Sequence, residues 1–391
     1  MSDIVIAAAK RTPIGAFLGQ FTGFPSPKLG AAAIAAALQQ SSIEPGDVGE
    51  VLMGCVLPAN LGQAPARQAA LAAGLPPSAG CTTLNKVCGS GMKAIMLGHD
   101  LLKAGSANVV VAGGMESMTN APHMAQVRSG LRLGDGKLID HMMWDGLTNP
   151  YDGKSMGLFA ESCADKYHFT REEQDAFATE SVRRAQTAVK DGSFADEIAT
   201  VTVPSRKGDV QVSTDETPGK VDPAKIPTLK PAFRKENGTV TAASSSSISD
   251  GAAAVVLLSA DDAKARGVKP LARIVAHATH SQEPEWFTTA PISAIRNVLK
   301  KTGWKIEDVD LFEVNEAFAV VAMAAMKDLS IPHEKLNVHG GACALGHPIG
   351  CTGARIVVTL LYALIHSGKK RGVASLCIGG GEATAIAIER P

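Results

Sequence analysis

The segment Val87-Cys-Gly-Ser-Gly-Met-Lys-Ala94 leads into a helix-forming run and then Val111-Ala-Gly-Gly-Met-Glu116. The same order returns as Ile349-Gly-Cys-Thr-Gly-Ala-Arg-Ile356, another helix-forming run and Cys377-Ile-Gly-Gly-Gly-Glu382. A loop–helix–strand unit that occurs twice predicts a duplicated chain. Around it, short apolar β-rich runs (Ile4 to Ala8, Val109 to Ala112, Ser375 to Ile378) alternate with Ala-rich helical stretches such as Leu29 to Gln40. Such alternation predicts an α/β fold with buried strands. Between the repeats, from about Thr119 to Ser247, the composition changes to Met- and Gly-rich loops, a charged helix near Thr170 to Asp191 and a Pro/Lys-rich stretch from Thr217 to Pro231. We read this stretch as a long insertion. Its Ser244-Ser-Ser-Ser247 run is either a flexible linker or a tight turn that approaches a ligand, and the apolar, helix-forming sequence at Gly251 to Leu258 directly after it favours the turn.

Bulk properties narrow the field. A chain of 391 residues exceeds the size at which one core keeps growing, so at least two core-bearing units are expected. With 38 basic and 38 acidic residues, no charge excess points to a nucleic acid or an anionic membrane as partner. The N-terminus lacks the pattern of a secretory signal and no apolar run is expected to span a membrane, so a soluble, cytoplasmic protein is expected. Seven cysteines, odd in number and without CxxC spacing, argue for free thiols in a reducing compartment and against zinc or a disulfide framework.

Four features carry chemistry. Cys88, in Asn85-Lys-Val-Cys-Gly-Ser-Gly91, stands before a helix expected over Met92 to Lys103. Unpaired N–H groups there favour a thiolate, although a buried inert cysteine has the same signature. His347, in Gly346-His-Pro-Ile-Gly350, is held by a turn at the start of the second repeat's helix and is placed to take a thiol proton; a purely structural turn histidine is the alternative. Cys377 ends a strand and precedes Gly379-Gly-Gly381, whose N–H groups suit an oxyanion, or it is simply a core cysteine. Asn315, in Val314-Asn-Glu-Ala-Phe318, is either a site residue or a helix N-cap.

Taken in order, Asn-Lys-Val-Cys-Gly-Ser-Gly, Asn-Glu-Ala-Phe, Gly-His-Pro-Ile-Gly and Cys-Ile-Gly-Gly-Gly closely resemble the successive motifs of the thiolase family, from Arg11-Thr-Pro-Ile-Gly15 to the C-terminus. The resemblance implies two βαβαβαββ halves in an α/β/α/β/α arrangement with a loop-domain insertion. The halves fall at residues 1–118 with 248–269 and at 270–391, and the insertion at 119–247. It further implies that Cys88 attacks an acyl thioester with His347 as base, giving an acyl-enzyme and free coenzyme A. Cys377 would then deprotonate the α-carbon of a second acetyl-coenzyme A, and the enolate would attack the acyl group to give acetoacetyl-coenzyme A. His347 and a water on Asn315 would stabilise the enolate, and the N–H groups of Cys88 and Gly379 the tetrahedral intermediate.

The family's coenzyme A contacts fall on Leu147, Met156, Phe233, Ala242, Ala243, Ser246, Ile248, Ala317 and Phe318, with Phe287 lining the acyl pocket. No metal ion and no redox cofactor are expected, and residues Gln126 to Asp140 resemble the family's tetramerisation loop, implying a homotetramer. The chain departs from many acetoacetyl-specific members in having Ser155-Met156-Gly157 for His-Met-Gly, Ser244-Ser-Ser246 for Asn-Ala-Ser, and Pro218-Gly219-Lys220 where an arginine often approaches the nucleotide. Lys220 is therefore a substitute contact. The rival readings are a degradative 3-ketoacyl-coenzyme A thiolase of broader chain length and, from another class, a noncatalytic acyl or lipid carrier on the same scaffold. A ketoacyl synthase would pair its cysteine with two histidines, and Cys377 speaks against it.

Overall fold

A computed structural model describes residues 2–391. Nine strands form the main sheet: β1 (Ile4–Arg11), β2 (Glu50–Gly54), β3 (Gly80–Leu84), β4 (Val109–Ser117), β5 (Ser249–Ser259), β6 (Ala272–Ser281), β7 (Leu311–Val314), β8 (Arg371–Ile378) and β9 (Glu382–Glu389). A two-residue strand, Gly15–Ala16, adds to β5. The order is β7-β8-β9-β6-β1-β5-β4-β2-β3. Outward from the central antiparallel β1–β6 contact, each half runs through two antiparallel pairings and then into parallel ones. Beyond β7, the bridge Phe312 to Leu336 continues the parallel series where the first half has β3. This mirrored order is the duplication seen in the repeated motif.

The principal helices are α1 (Ser26–Ser41), α2 (Pro65–Ala72), α3 (Ser90–Lys103), α4 (Met156–Tyr167), α5 (Arg171–Asp191), α6 (Ala290–Thr302), α7 (Ala319–Leu329) and α8 (Ile349–His366). α3 and α8 share the central core with the inner faces of both halves, through Met92, Ile95, Ile356, Leu360, Ile6 and Ile386. α1 and α2 cover one outer face and α6 and α7 the other. The repeated glycines explain how α3 and α8 cross. A Cβ on Gly91 would lie 2.7 Å from the Ala354 nitrogen and one on Gly353 2.3 Å from the Met92 nitrogen. Only glycine lets the backbones approach so closely. Because the repeat places Cys88 before α3 and His347 before α8, the crossing brings both to one end of the molecule.

Two sequence expectations are corrected here. Gly251 to Leu258, expected as helix-forming, lies in β5, fully buried between β1 and β4. Its alanines suit a strand that α1 and α8 cover on both faces, and this packing overrides helix propensity. Secondly, α8 is long and apolar enough to cross a membrane, but it is buried almost throughout as the central helix of the core.

The chain leaves the sheet at Ser117 and returns at Ser249. Within this excursion Thr170 caps α5 with a capping box, its hydroxyl accepting from Glu173 N–H while Glu173 accepts from Thr170 N–H. The excursion is tied to the sheet by buried Arg11, which pairs with Glu197 and bidentately with Asp215 at 2.7 and 2.9 Å.

Candidate active site

At the N-terminal ends of α3 and α8 opens a pocket of about 420 Å³. It brings together Cys88, His347 and Gly379 with Leu147, Met156, Phe233, Ala242, Ser246, Ile248, Phe287, Ala317 and Phe318. Ser155, Gly157 and Ser247 line it as well. Among the residues named from sequence, Cys377 and Asn315 are buried beyond the lining. Ala243 faces another core with Ile14, Val182 and Leu345. Lys220 is exposed and pairs with Glu216 at 2.5 Å, outside the pocket lining.

Cys88 sits on a tight turn. Val87 has φ +46°, a left-handed conformation that is costly for a β-branched residue. Ser90 holds it there, accepting from Lys86 N–H at 2.9 Å and donating to the Val87 carbonyl at 2.7 Å. The N–H groups of Gly379 and of Cys88 itself point at the sulfur. Gly380 and Gly381, at φ +94° and +91°, make the turn that presents Gly379, and glycine is what that conformation favours. Despite these donors, burial among apolar side chains pushes the Cys88 thiol up to about 11. The expectation of a resting thiolate is therefore corrected: desolvation outweighs the helix terminus and the two N–H groups.

His347 is buried, and burial, reinforced by the Arg355 guanidinium, brings its imidazole down to about 3. Its neutral tautomer follows from the hydrogen bonds. Thr352 donates its hydroxyl proton to the Pro348 carbonyl at 3.0 Å, so at 2.6 Å from His347 Nδ1 its oxygen accepts and Nδ1 carries the proton. Nε2 then holds the free lone pair, and it has no partner among the described residues. A neutral thiol and a neutral imidazole with Nε2 bare thus line the same pocket.

Cys377 ends β8; burial pushes its thiol well above the usual range, with the nearby Cys88 sulfur contributing. Asn315 follows β7, and its N–H donates to the Ser375 carbonyl at 3.0 Å. It is not an N-cap, since α7 begins after Phe318. Its Oδ1 and Nδ2 are buried without partners among the described residues, so the whole amide is free to bind a further group. The adjacent Glu316 holds it in place by accepting from Ser181 Oγ (2.7 Å), Asn337 Nδ2 (2.8 Å) and Cys343 N–H (3.1 Å).

The wall of the pocket is aromatic and small. Phe287 meets Phe159 edge-on at 6.3 Å, and Phe233 meets Phe318 edge-on at 5.9 Å. Gly157 lies against the Phe233 ring, where a Cβ would come within 2.2 Å. The four serines form a tight turn: Ala319 N–H donates to the Ser244 carbonyl (2.8 Å), Ser246 N–H to Ala317 (3.0 Å) and His347 N–H to Ser247 (3.1 Å). The linker reading of that run is thereby excluded.

Thr352 and Glu116 escaped the sequence reading. Glu116 accepts from the N–H groups of Val56 (2.9 Å), Leu57 (3.2 Å) and Gly350 (2.9 Å), pinning the start of α8 to the end of β4, while burial pushes its carboxyl up to about 7. Both residues stand inside the quoted repeat, and that position was the available signal.

Comparison with known proteins agrees with this geometry. The thiolase N-terminal domain model matches residues 4–261 and the C-terminal domain model residues 268–390. The acetyl-CoA acetyltransferase of Pseudomonas aeruginosa is 49% identical, with both chains covered in full. Acetyl-CoA acetyltransferase 2 of Arabidopsis thaliana is 50% identical over 99% of this chain and 97% of its own. The crystal structure of the thiolase Acat5 from Ascaris suum, in complex with coenzyme A, superposes with a TM-score of 0.95 at 42% identity over the full length of both chains. Duplicated halves, a cysteine and a histidine at crossing helix starts, and family models that span nearly every residue lead to one conclusion: this chain belongs to the thiolase family.

Proposed function

We propose that this acyltransferase condenses two acetyl-coenzyme A molecules, reversibly, to acetoacetyl-coenzyme A and coenzyme A through an acetyl group on Cys88. The observation that carries the reading is the meeting, in one apolar pocket, of a neutral thiol and an imidazole whose Nε2 is free. His347 Nε2 takes the Cys88 proton as sulfur attacks the thioester carbon, and the Cys88 and Gly379 N–H groups hold the resulting oxyanion. The bond to the coenzyme A sulfur then breaks. Because Cys377 rests as a thiol, it must give a proton before it can take one, and the departing coenzyme A thiolate is the acceptor. The Cys377 thiolate next removes the α-proton of a second acetyl-coenzyme A, while His347 and a water on the Asn315 amide stabilise the enolate oxygen. The enolate carbon attacks acetyl-Cys88, and the released Cys88 sulfur recovers its proton from His347, closing the cycle.

Phe287 lines the pocket and is backed edge-on by buried Phe159, and a bulky ring held there favours a short acyl group over the substrates of a broad-range degradative thiolase. The loop near residues 126–140 supports a homotetramer: Val127, Leu131, Leu133 and Leu138 are exposed above the short hairpin of His123–Met124 with Ile139–Asp140. A monomer by light scattering at micromolar concentration would remove that assignment. Thiolysis of acetoacetyl-, 2-methylacetoacetyl- and longer 3-ketoacyl-coenzyme A, beside Cys88→Ala, tests the activity. Rapid cleavage of the four-carbon substrate that is lost in the variant is expected; a preference for long chains assigns a degradative thiolase, and no turnover a carrier.

A further inference from the structure

Away from the acyl pocket, His99 Nδ1 and His277 Nε2 lie 3.0 and 2.9 Å from the same oxygen of Asp100. The three donor atoms are within 4.8 Å of one another. His99 and Asp100 stand late in α3 and His277 on β6, and a β-bulge brings them together. The β6–β9 register slips between Ile274 and Ala276. Before the slip Ile274 belongs to the central core, whereas Val275, Ala276 and Ala278 all pack on the outer face. The extra residue reverses the alternation, turning His277 toward α3.

The duplicated half shows that the fold does not demand this cluster. β1 carries the same slip between Ile6 and Ala8. In the register of the repeat, which sets Ser90 with Thr352 and Ile6 with Ile274, Asp100 corresponds to Tyr362 and His277 to Ala9. There the Tyr362 hydroxyl donates to the Ala9 carbonyl at 3.0 Å, and Gln40 bridges the same two residues.

We propose that His99, Asp100 and His277 form a binding site for a divalent transition metal of the zinc class, clamping α3 of the first half to β6 of the second. Bonds of about 2.0–2.1 Å at tetrahedral angles put donors about 3.3 Å apart; the two Asp100–imidazole separations, 3.0 and 2.9 Å, are a few tenths of an ångström shorter, and the two imidazole nitrogens lie within 4.8 Å of each other. The Asp100 side chain is 52% exposed and free to make that adjustment, while both rings are largely fixed at 13% and 15%. Two imidazoles with one carboxylate suit zinc, nickel or copper rather than magnesium or calcium. The Lys301 ammonium, on the His277 carbonyl at 2.8 Å, disfavours a hard cation held by charge alone. Three protein ligands leave a fourth position for water. No zinc motif is visible in the sequence, because the ligands come from two distant segments.

The test uses the full chain stripped of metal. Zinc chloride titrated by equilibrium dialysis should bind at least about tenfold more tightly to the unsubstituted protein than to His277→Ala or Asp100→Asn, and should raise the unfolding temperature of the former only. Identical isotherms in all three overturn the proposal. Should the variants fail to fold, one equivalent of Cu²⁺ on the unsubstituted chain decides by electron paramagnetic resonance. Coupling to two imidazole nitrogens supports the site, and fewer nitrogens or thiolate ligation refutes it.

Discussion

Raising the pH on the substrate-free enzyme should show that Cys88 rests as a thiol. Its sulfur is pushed up to about 11 from an ordinary value of 9.0, because burial disfavours the charged form more than the Gly379 and Cys88 N–H groups favour it. Two pH units correspond to about 100-fold less thiolate at neutral pH, or about 2.7 kcal/mol. A more basic thiolate is also a better nucleophile. With a Brønsted slope of about 0.4–0.5, that recovers roughly eightfold, leaving alkylation about tenfold slower than for a free thiol. The assay is iodoacetamide labelling from pH 6 to 10.5, with Cys88 followed by peptide mass spectrometry and Cys88→Ala as control. The logarithm of the rate should climb with unit slope and show no plateau below about pH 10. A plateau at neutral pH would mean a standing thiolate and would refute the reasoning, restoring the helix-terminus argument that the sequence suggests.

Thr352→Val removes the oxygen that accepts from His347 Nδ1, so kcat/KM for thiolysis should fall at least about tenfold, about 1.4 kcal/mol, with KM for coenzyme A nearly unchanged. Cys377→Ala should slow turnover by about 10²–10⁴-fold. The same variant should still accept an acetyl group on Cys88, seen as a mass increase on incubation with acetyl-coenzyme A, but more slowly, because the departing coenzyme A thiolate loses its Cys377 proton donor; acetylation at the unsubstituted rate would contradict the assigned order of proton transfers. Arg11→Ala leaves Glu197 and Asp215 buried without their cation and should cost about 3–5 kcal/mol in denaturant unfolding.

The order of the fold was legible in local sequence. The repeated loop–helix–strand unit announced the duplication, and Gly91 and Gly353 marked where two backbones meet, since close approach restricts a position to one residue type. Cys88, His347, Cys377 and Asn315 stood out because turns, glycines and strand ends leave signatures a few residues long. The identity of β5 was not legible: its alanines are good helix formers until helices on both faces require small side chains. Nor was the protonation of Cys88, because the helix terminus is written beside the residue while the apolar side chains packed against it come from distant segments, among them Val56, Met118 and Ile349. The same limit applies to Thr352 as the partner of His347 and to the meeting of His99, Asp100 and His277. Propensity, turn chemistry and periodicity act over a few residues and can be read along the chain, but burial, tautomer and donor geometry depend on neighbours that only folding supplies.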